Sequence, residues 1–542
     1  MKRRAFPMAW LLAPACLALA GLHLLAARRF AVGAFNDDAF FILLSKSLRT
    51  GAFALADGAA VTDPLPGFAA LLLIPSWLVE PRWHLLQPMI VAFALLSVWL
   101  TWRLALRFLS PGWALAAALV VALNPVLVGL DGLVIADIPY LALSLALFLG
   151  AAALAPGSPA WALPALSLAA ALGCLTRPQG SILGLSLGMA VWLRLGWGRG
   201  LAFLAGAFLP LAGWMLRNLL AGDTVTGFVA NWKSQSFLFA DPLQQAGHVL
   251  GLLGALFGQG LAGVTGPEAL SAAAGLGCLA LVAHGSVRLA RGSEGVPAAA
   301  MATYVIFVLA MHSTWPLKEA RYLIALLPFV VILIMASLRI WLERRPLAAG
   351  LLLLAFSAAL LRHDLGFAAR GLGPRPAFEP ETMAWLAENL PAEARVESLA
   401  FHTVELFTGR RTVPPGLTVY DRHAWLASAL ARGVTHLHVS RGLLSGEFAY
   451  PSLPYLKLPT LESWARQTPY ASELYANPRE GTAVFRIHHP APGRYFEAYT
   501  ACLHARDPAS GASSKILRRR LKAALELEPS LACALSAEEP GP

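Results

Sequence analysis

Long apolar runs separated by short polar breaks fill the first two thirds of this 542-residue chain. Runs of about 17–22 apolar residues match a hydrocarbon core of about 30 Å, so each predicts a membrane-crossing helix. Eleven fall at roughly 9–27, 84–108, 112–130, 138–154, 160–175, 179–195, 199–219, 268–288, 297–313, 322–341 and 346–361. Two further stretches predict interfacial or re-entrant helices: 66–80, interrupted by Pro66, Pro75 and Pro81, and the short, glycine-rich 248–263. After residue 362 the pattern changes. Residues 363–376 read as a Gly/Pro-containing linker, and 377–489 alternate helix and strand periods, as in a soluble α/β domain. Its predicted helices are Glu381–Leu390 and 424–432, and its predicted strands are Arg395–Ser398, Val434–Ser440 and Thr482–His488. A tail, 490–542, holds two helical stretches at 494–505 and 515–527. The predicted fold is mainly α: a polytopic transmembrane domain over 1–362 with about eleven spans, followed by a C-terminal soluble α/β domain.

Composition agrees with the pattern. Apolar residues make up 57% and charged residues 13%, where a soluble chain would carry roughly twice that charge fraction. The net charge of +11 comes without any basic-aromatic module, so it speaks for membrane topology and anionic ligands and against nucleic acid. Met1-Lys2-Arg3-Arg4 predicts a cytoplasmic N-terminus. Ala18-Leu19-Ala20 resembles a signal cleavage site, but apolarity continues to Ala27, which favours a retained helix. Arg103, Arg107, Arg194 and Arg199 then fall inside. Leaving 248–263 out of the crossings puts Arg288, Arg291, Arg339, Arg344 and Arg345 inside as well, with the C-terminal domain outside. The five cysteines show no metal-ligand spacing. Cys16, Cys174 and Cys278 read as packing residues, while Cys502 and Cys533 share the outer side, where pairing depends on an oxidising compartment.

Within that topology an acidic doublet, Asp37-Asp38, opens an amphipathic run in the long first outer loop. A carboxylate costs roughly 2.5–3.5 kcal/mol at the centre of a spanning helix and less at the interface, so a doublet there asks for a use. Asp131 and Asp137 lie in the next outer loop, and Arg177, Arg217, Lys318 and Arg321 hug the outer ends of spans, against the positive-inside bias. One such arginine is a snorkelling side chain. Several on one side, with carboxylates nearby, form a pocket for an anionic headgroup, and the guanidinium fork suits phosphate oxygens. Such a pocket fits group transfer from a lipid-phosphate carrier, a carboxylate deprotonating the acceptor hydroxyl and the cations stabilising the leaving phosphate. No GxGxxG or Walker pattern accompanies it.

These residues resemble the GT-C superfamily of membrane glycosyltransferases, in particular the bacterial branch of protein O-mannosyltransferases and lipid A aminoarabinose transferases. Asp37-Asp38-Ala39-Phe40-Phe41 is similar to the family's first-loop motif, and Asp63-Pro64-Leu65-Pro66-Gly67-Phe68 to its proline-glycine segment. Asp137 with Pro139-Tyr140 is similar to the second-loop acid, and Thr176-Arg177-Pro178-Gln179-Gly180 to a Thr-Arg-Pro-Glu-Gly pattern with Gln in place of Glu. Trp214-Met215-Leu216-Arg217-Asn218 and Arg321-Tyr322-Leu323 complete the set. The resemblance implies an inverting hexosyl or pentosyl transferase of the bacterial cytoplasmic membrane that uses a polyprenyl-phosphate sugar on the envelope side. It implies Asp37 as base with Asp38 and Asp137 beside it, and Arg177, Arg217, Lys318, Arg321 and Tyr322 around the donor phosphate. The acceptor class (lipid, glycan or protein) stays open. Metal dependence varies in the superfamily, so no divalent cation is carried over, although one is compatible with the doublet. A flippase or transporter would instead place its charges at mid-membrane on broken helices, and a non-catalytic assembly partner would not need the acids. His436 and His438 share one face of a predicted strand. Without a third ligand in sequence they read as surface histidines.

Overall fold

The computed structural model describes residues 9–55, 58, 60–221, 242–262, 268–292, 294–314, 319–373, 376–415, 422–441, 458–489, 495 and 499. The tail helices expected at 494–505 and 515–527, Cys502, Cys533 and Lys318 lie outside the described residues, apart from 495 and 499. The chain divides into two compact units. One comprises Met1–Val32 and Phe41–Pro376, the other Gly33–Phe40 and Ala377–Pro542.

The first unit is helical. Its elements are α1 (Ala9–Ala27), α2 (Asp37–Leu48, its first turn in the second unit), α3 (Gly67–Val79), α4 (Gln87–Ala105), α5 (Pro111–Ala122), α6 (Pro125–Leu130), α7 (Asp137–Ala153), α8 (Ala162–Thr176), α9 (Gln179–Leu195), α10 (Trp197–Leu220), α11 (Pro242–Ala262), α12 (Glu268–Ala290), α13 (Gly295–Thr314), α14 (Leu327–Leu342) and α15 (Pro346–Ala369). Among the described residues, six helical runs are long and apolar enough to cross a membrane: Trp83–Ala105, Trp197–Leu220, Ser271–Ala290, Gly295–Ser313, Ala320–Leu342 and Pro346–Leu372. The Ala320–Leu342 run is 78% buried and sits at the centre. The runs Trp197–Leu220, Ser271–Ala290 and Pro346–Leu372 are 22%, 17% and 17% buried, so most of their apolar side chains face outward. Exposed Trp197 and Leu209 in the first of these runs, with Trp161, Trp192 and Trp341 elsewhere in the helical unit, form apolar surface that a lipid solvent accommodates and water does not.

Several expected spans take another form. The run at 112–130 is two helices, because Pro125 cannot continue α5; Asn124 at the break accepts hydrogen bonds from the Val126 and Leu127 amides at 3.0 and 3.3 Å. α7, α8 and α9, with 17, 15 and 17 residues, lie within about two residues of the expected runs at 138–154, 160–175 and 179–195 and rise about 25 Å or less. The stretch expected as an interfacial piece at 248–263 is the 21-residue α11, pressed antiparallel on α12 where Gly254 faces the Ser271 carbonyl and Gly275 the Leu250 carbonyl. The expected linker at 363–376 is largely helix: α15 runs to Ala369 and a 3-10 turn follows at Arg370–Leu372, anchored by the buried Asp364 and Ala368.

The second unit carries a five-stranded sheet in the order β2-β1-β3-β5-β4. Its strands are β1 (Arg395–Glu397), β2 (Arg411–Val413), β3 (His436–Ser440), β4 (Ala471–Asn477) and β5 (Thr482–Ile487), and its helices are α16 (Pro380–Asn389), α17 (Phe401–Thr408), α18 (Arg422–Ala431) and α19 (Leu458–Gln467). β1 pairs parallel with β2 and β3, and β5 pairs antiparallel with β3 and β4. Each face of the sheet has a core. Trp425, Leu437, Val439, Leu461 and Phe485 fill one; Met383, Leu386, Val396, Val404 and Val484 fill the other. All five residues of β3 are buried, so His436 and His438 are interior rather than surface histidines. His438 Nδ1 lies 2.9 Å from Ser398 Oγ and its Nε2 3.0 Å from Glu379, while burial and nearby Arg486 push the His436 imidazole down to about 4. No three His, Cys, Asp or Glu side chains converge on a metal-sized site among the described residues.

Candidate active site

Pro178 disfavours helix at the residue before it, and Arg177 is accordingly extended (φ −147°, ψ 152°) between α8 and α9. The next glycine has a packing reason: a Cβ on Gly180 would overlap the Gly173 carbonyl, so only glycine lets α9 fold back this tightly on α8. The Arg177 side chain, freed from the helix, pairs with Asp137 at 2.5 Å. Asp137 opens α7, where a helix N-terminus favours a carboxylate, and it is 3% exposed. Arg177 also donates through Nε to Gln179 Oε1 at 3.3 Å, and its guanidinium lies 5.9 Å from the Tyr322 ring.

Tyr322 collects a second arginine. It belongs to the 3-10 segment Ala320–Leu326 that leads into α14, and Arg321 lies 4.8 Å from its ring, donating to its hydroxyl at 3.1 Å. Arg321 pairs with Glu319 at 2.5 Å. His312, near the end of α13, stacks on Tyr322 with ring centres 5.8 Å apart, and its Nε2 accepts from the Gln179 amide at 3.1 Å. Thus Asp137, Arg177, Arg321 and Tyr322 meet at one end of the helical unit, joined by Gln179, His312 and Glu319. Sequence reasoning misses the last two: a lone histidine in an apolar helix and a glutamate beside a lysine carry no local signal. Gln179 lies within the Thr-Arg-Pro motif, at the position where Gln replaces Glu.

Two expected members are placed elsewhere. Arg217, in the last turn of α10, donates to the Val61 and Phe53 carbonyls at 2.8 and 3.2 Å and lies 4.7 Å from the Trp214 ring. It also donates to Asn218 Oδ1 at 2.9 Å, so it ties α10 to Phe53 and Val61. Asp131, expected among the outer acids, is fully buried against His23 at 2.7 Å, and His23 donates on to the Ala122 carbonyl at 3.0 Å. This pair ties α1 to the turn before α7.

The acidic doublet belongs to the second unit. Asn36, in the left-handed region at φ +43°, turns the chain into α2, and Asp37 is half-buried at the first helical position. Asp38 is wholly buried; its Oδ2 accepts from the Gly33 amide at 2.7 Å and its Oδ1 from the Ala39 amide at 2.8 Å. Burial raises the Asp38 carboxyl to about 7 even though these amides and the Asp38 amide favour the ionised form.

Between α7 and α8 an apolar cavity of about 440 Å³ runs from Leu143 and Ala169 to Ser158 and Trp161, at the turn joining the two helices and away from the Asp137–Arg177 pair. Leu143 stands six residues past Asp137, about 9 Å along the helix.

No protein-family model and no curated protein sequence matches the chain. Solved structures do. ArnT from Cupriavidus metallidurans bound to undecaprenyl phosphate superposes with a TM-score of 0.54 at 13% identity, covering 89% of this chain and 98% of that one. The archaeal oligosaccharyltransferase AglB from Archaeoglobus fulgidus, in complex with an inhibitory peptide and a dolichol-phosphate, gives 0.53 at 13% identity, with coverage of 89% and 75%. At such identities the likeness is one of architecture: this chain has the fold that ArnT and AglB share.

Proposed function

We propose that the protein transfers a sugar from a polyprenyl-phosphate carrier to an acceptor hydroxyl on the outer face of a bacterial cytoplasmic membrane. The observation that carries this reading is the gathering of Arg177 and Arg321, each beside a carboxylate, around Tyr322. Two guanidiniums close to one tyrosine ring suit the oxygens of a phosphate, which would exchange with Asp137 and Glu319 as their partner. The acceptor oxygen attacks the anomeric carbon, and the Asp37 carboxylate takes its proton. The bond from the anomeric carbon to the phosphate oxygen breaks, its electron pair leaving on the lipid phosphate as the arginines stabilise the growing charge. A single displacement inverts the anomeric centre. The cavity between α7 and α8 accommodates part of the prenyl tail.

The test is release of undecaprenyl phosphate from a panel of undecaprenyl-phosphate-linked pentoses and hexoses by the purified protein in lipid nanodiscs. Turnover of at least one donor, cut roughly 10- to 150-fold by Arg177→Ala or Arg321→Ala, is expected, since a charge-assisted hydrogen bond is worth about 1.5–3 kcal/mol. No turnover across the panel, or wild-type rates in both variants, contradicts the reading. Mass spectrometry of envelope glycans and glycolipids from a deletion strain then identifies the acceptor.

A further inference from the structure

We infer that helix α17 of the C-terminal domain clamps the loop carrying the acidic doublet, with Thr403 and His402 as positioning residues for the acid chemistry; the chemical part rests on the transferase reading above. Thr403 Oγ1 donates to the Gly33 carbonyl at 2.7 Å, and that hydrogen bond is buried. The His402 amide donates to Asn36 Oδ1 at 3.0 Å. The Phe40 ring lies flat on the His402 imidazole, centres 3.9 Å apart and planes 4° from parallel. Three successive features of the loop, its entry at Gly33, its turn at Asn36 and its exit at Phe40, are therefore held by two adjacent residues of one short helix.

The clamp reaches the carboxylates through Gly33. The residue that gives its carbonyl to Thr403 gives its amide to Asp38 Oδ2 at 2.7 Å, so moving Gly33 moves Asp38 and the adjoining Asp37. Gly33 sits at φ +95°, where a side chain is strained, and a Cβ there would run into Thr403 Cγ2 at 2.5 Å, so the loop and helix are fitted tightly. The His402 imidazole acts here through its flat face. The ring is 5% exposed, its Nδ1 has no hydrogen-bond partner among the described residues, and burial pushes its titration down to about 3, so it is a neutral stacking plate. These contacts explain why Gly33–Phe40 belongs to the same compact unit as Ala377–Pro542, although nearly the whole helical unit separates the two segments in sequence.

A base must lie within about 2.6–3.2 Å of the proton it takes, and a displacement of about 1 Å costs on the order of 10²-fold. Full-length Thr403→Val, Thr403→Ser and Asn36→Ala are compared with wild type in two measurements. Hydrogen exchange of the 33–40 amides needs no substrate: protection should drop in Thr403→Val and Asn36→Ala and be restored in Thr403→Ser. On the panel donor that wild type turns over fastest, kcat should fall about 10- to 100-fold in Thr403→Val with the donor KM unchanged, and recover in Thr403→Ser. Unchanged exchange in both loosening variants overturns the clamp, whatever the chemistry. A loosened loop with wild-type kcat overturns the positioning role. A loosened loop in a protein whose wild type turns over no donor supports the clamp and contradicts the transferase reading instead.

Discussion

Asp38 accepts hydrogen bonds from two backbone amides at once and is sealed from solvent, whereas Asp37, its neighbour, is only half-buried. Adjacent helical residues point about 100° apart, so under the transferase proposal the two carboxylates divide the labour: Asp37 for proton transfer, Asp38 for the shape of the loop. Asp37→Asn should lower turnover about 10²–10⁴-fold at unchanged donor binding, and Asp38→Asn should lower it less. Steady-state kinetics of the two purified variants on one donor decide this; a larger loss in Asp38→Asn reverses the assignment. The buried Asp38 also predicts a pH signature. Its folded-state value of about 7 lies above that of an unfolded aspartate near 3.8, so its stabilising contribution is complete below about pH 4 and is lost as pH rises through 7. The stability of wild type relative to Asp38→Asn should therefore fall between about pH 4 and pH 7, as read from melting temperatures at several pH values; a flat difference means that the carboxyl is solvated. Single residues are legible where a motif places them at a chain break, as with Arg177 before Pro178. They are less legible where a charge faces inward. Arg217 and Asp131 look like site residues in sequence because composition cannot distinguish an arginine bound to backbone carbonyls, or an aspartate against a buried histidine, from one awaiting a ligand.

At the scale of elements, α7 and α8 link the polar cluster to an apolar cavity, since Asp137 opens one helix and Arg177 follows the other. The groove between them begins about two turns from the ion pair and continues to the turn at Ser158 and Trp161; under the transferase proposal it takes the prenyl tail. Ala146→Phe, which adds a ring to the cavity wall, should raise the KM for an undecaprenyl donor roughly 10-fold and leave that for a two-isoprene analogue nearly unchanged. Equal effects on both chain lengths would show that the groove does not bind the tail. Elements are legible where a single period runs uninterrupted: α16, β3 and β5 lie within about two residues of the stretches that the apolar pattern predicts. β2, β4, α17 and α19 are not, because three-residue β2 is too short to show a period and β4 is exposed along most of its length, so no alternation is imposed on it. α17 is eight residues long and largely buried, so its sequence, Phe401–Thr408, lacks the polar face that marks an amphipathic helix.

For the whole molecule, chain polarity within the helical unit fixes which loops share a side. Asp137, Arg177, Gln179, His312 and Tyr322 meet at one end, and Gly67 is packed against the Leu175 carbonyl, so the segment before α3 is at that end too. α9 then carries Leu195 to the opposite end, and α14 carries Arg339, Arg344 and Arg345 there. α13, which finishes beside Gln179, starts at that opposite end next to Arg288 and Arg291. The positive-inside rule reads that arginine-rich end as cytoplasmic and the Arg177 end as outside. α15 leaves the arginine-rich end at Pro346 and runs 24 residues, about 36 Å, long enough to cross a membrane; we propose that it does so. Phosphatase fusions at Leu48 and Thr435 should therefore be active and those at Leu195 and Arg344 inactive, with a cytoplasmic reporter giving the opposite pattern. An inactive phosphatase at Thr435 with the other three as expected would mean that α15 does not cross, and the acid loop's clamp on α17 could not then form on the outer face. Inversion of all four would put the phosphate cluster in the cytoplasm and contradict a donor used from the outside.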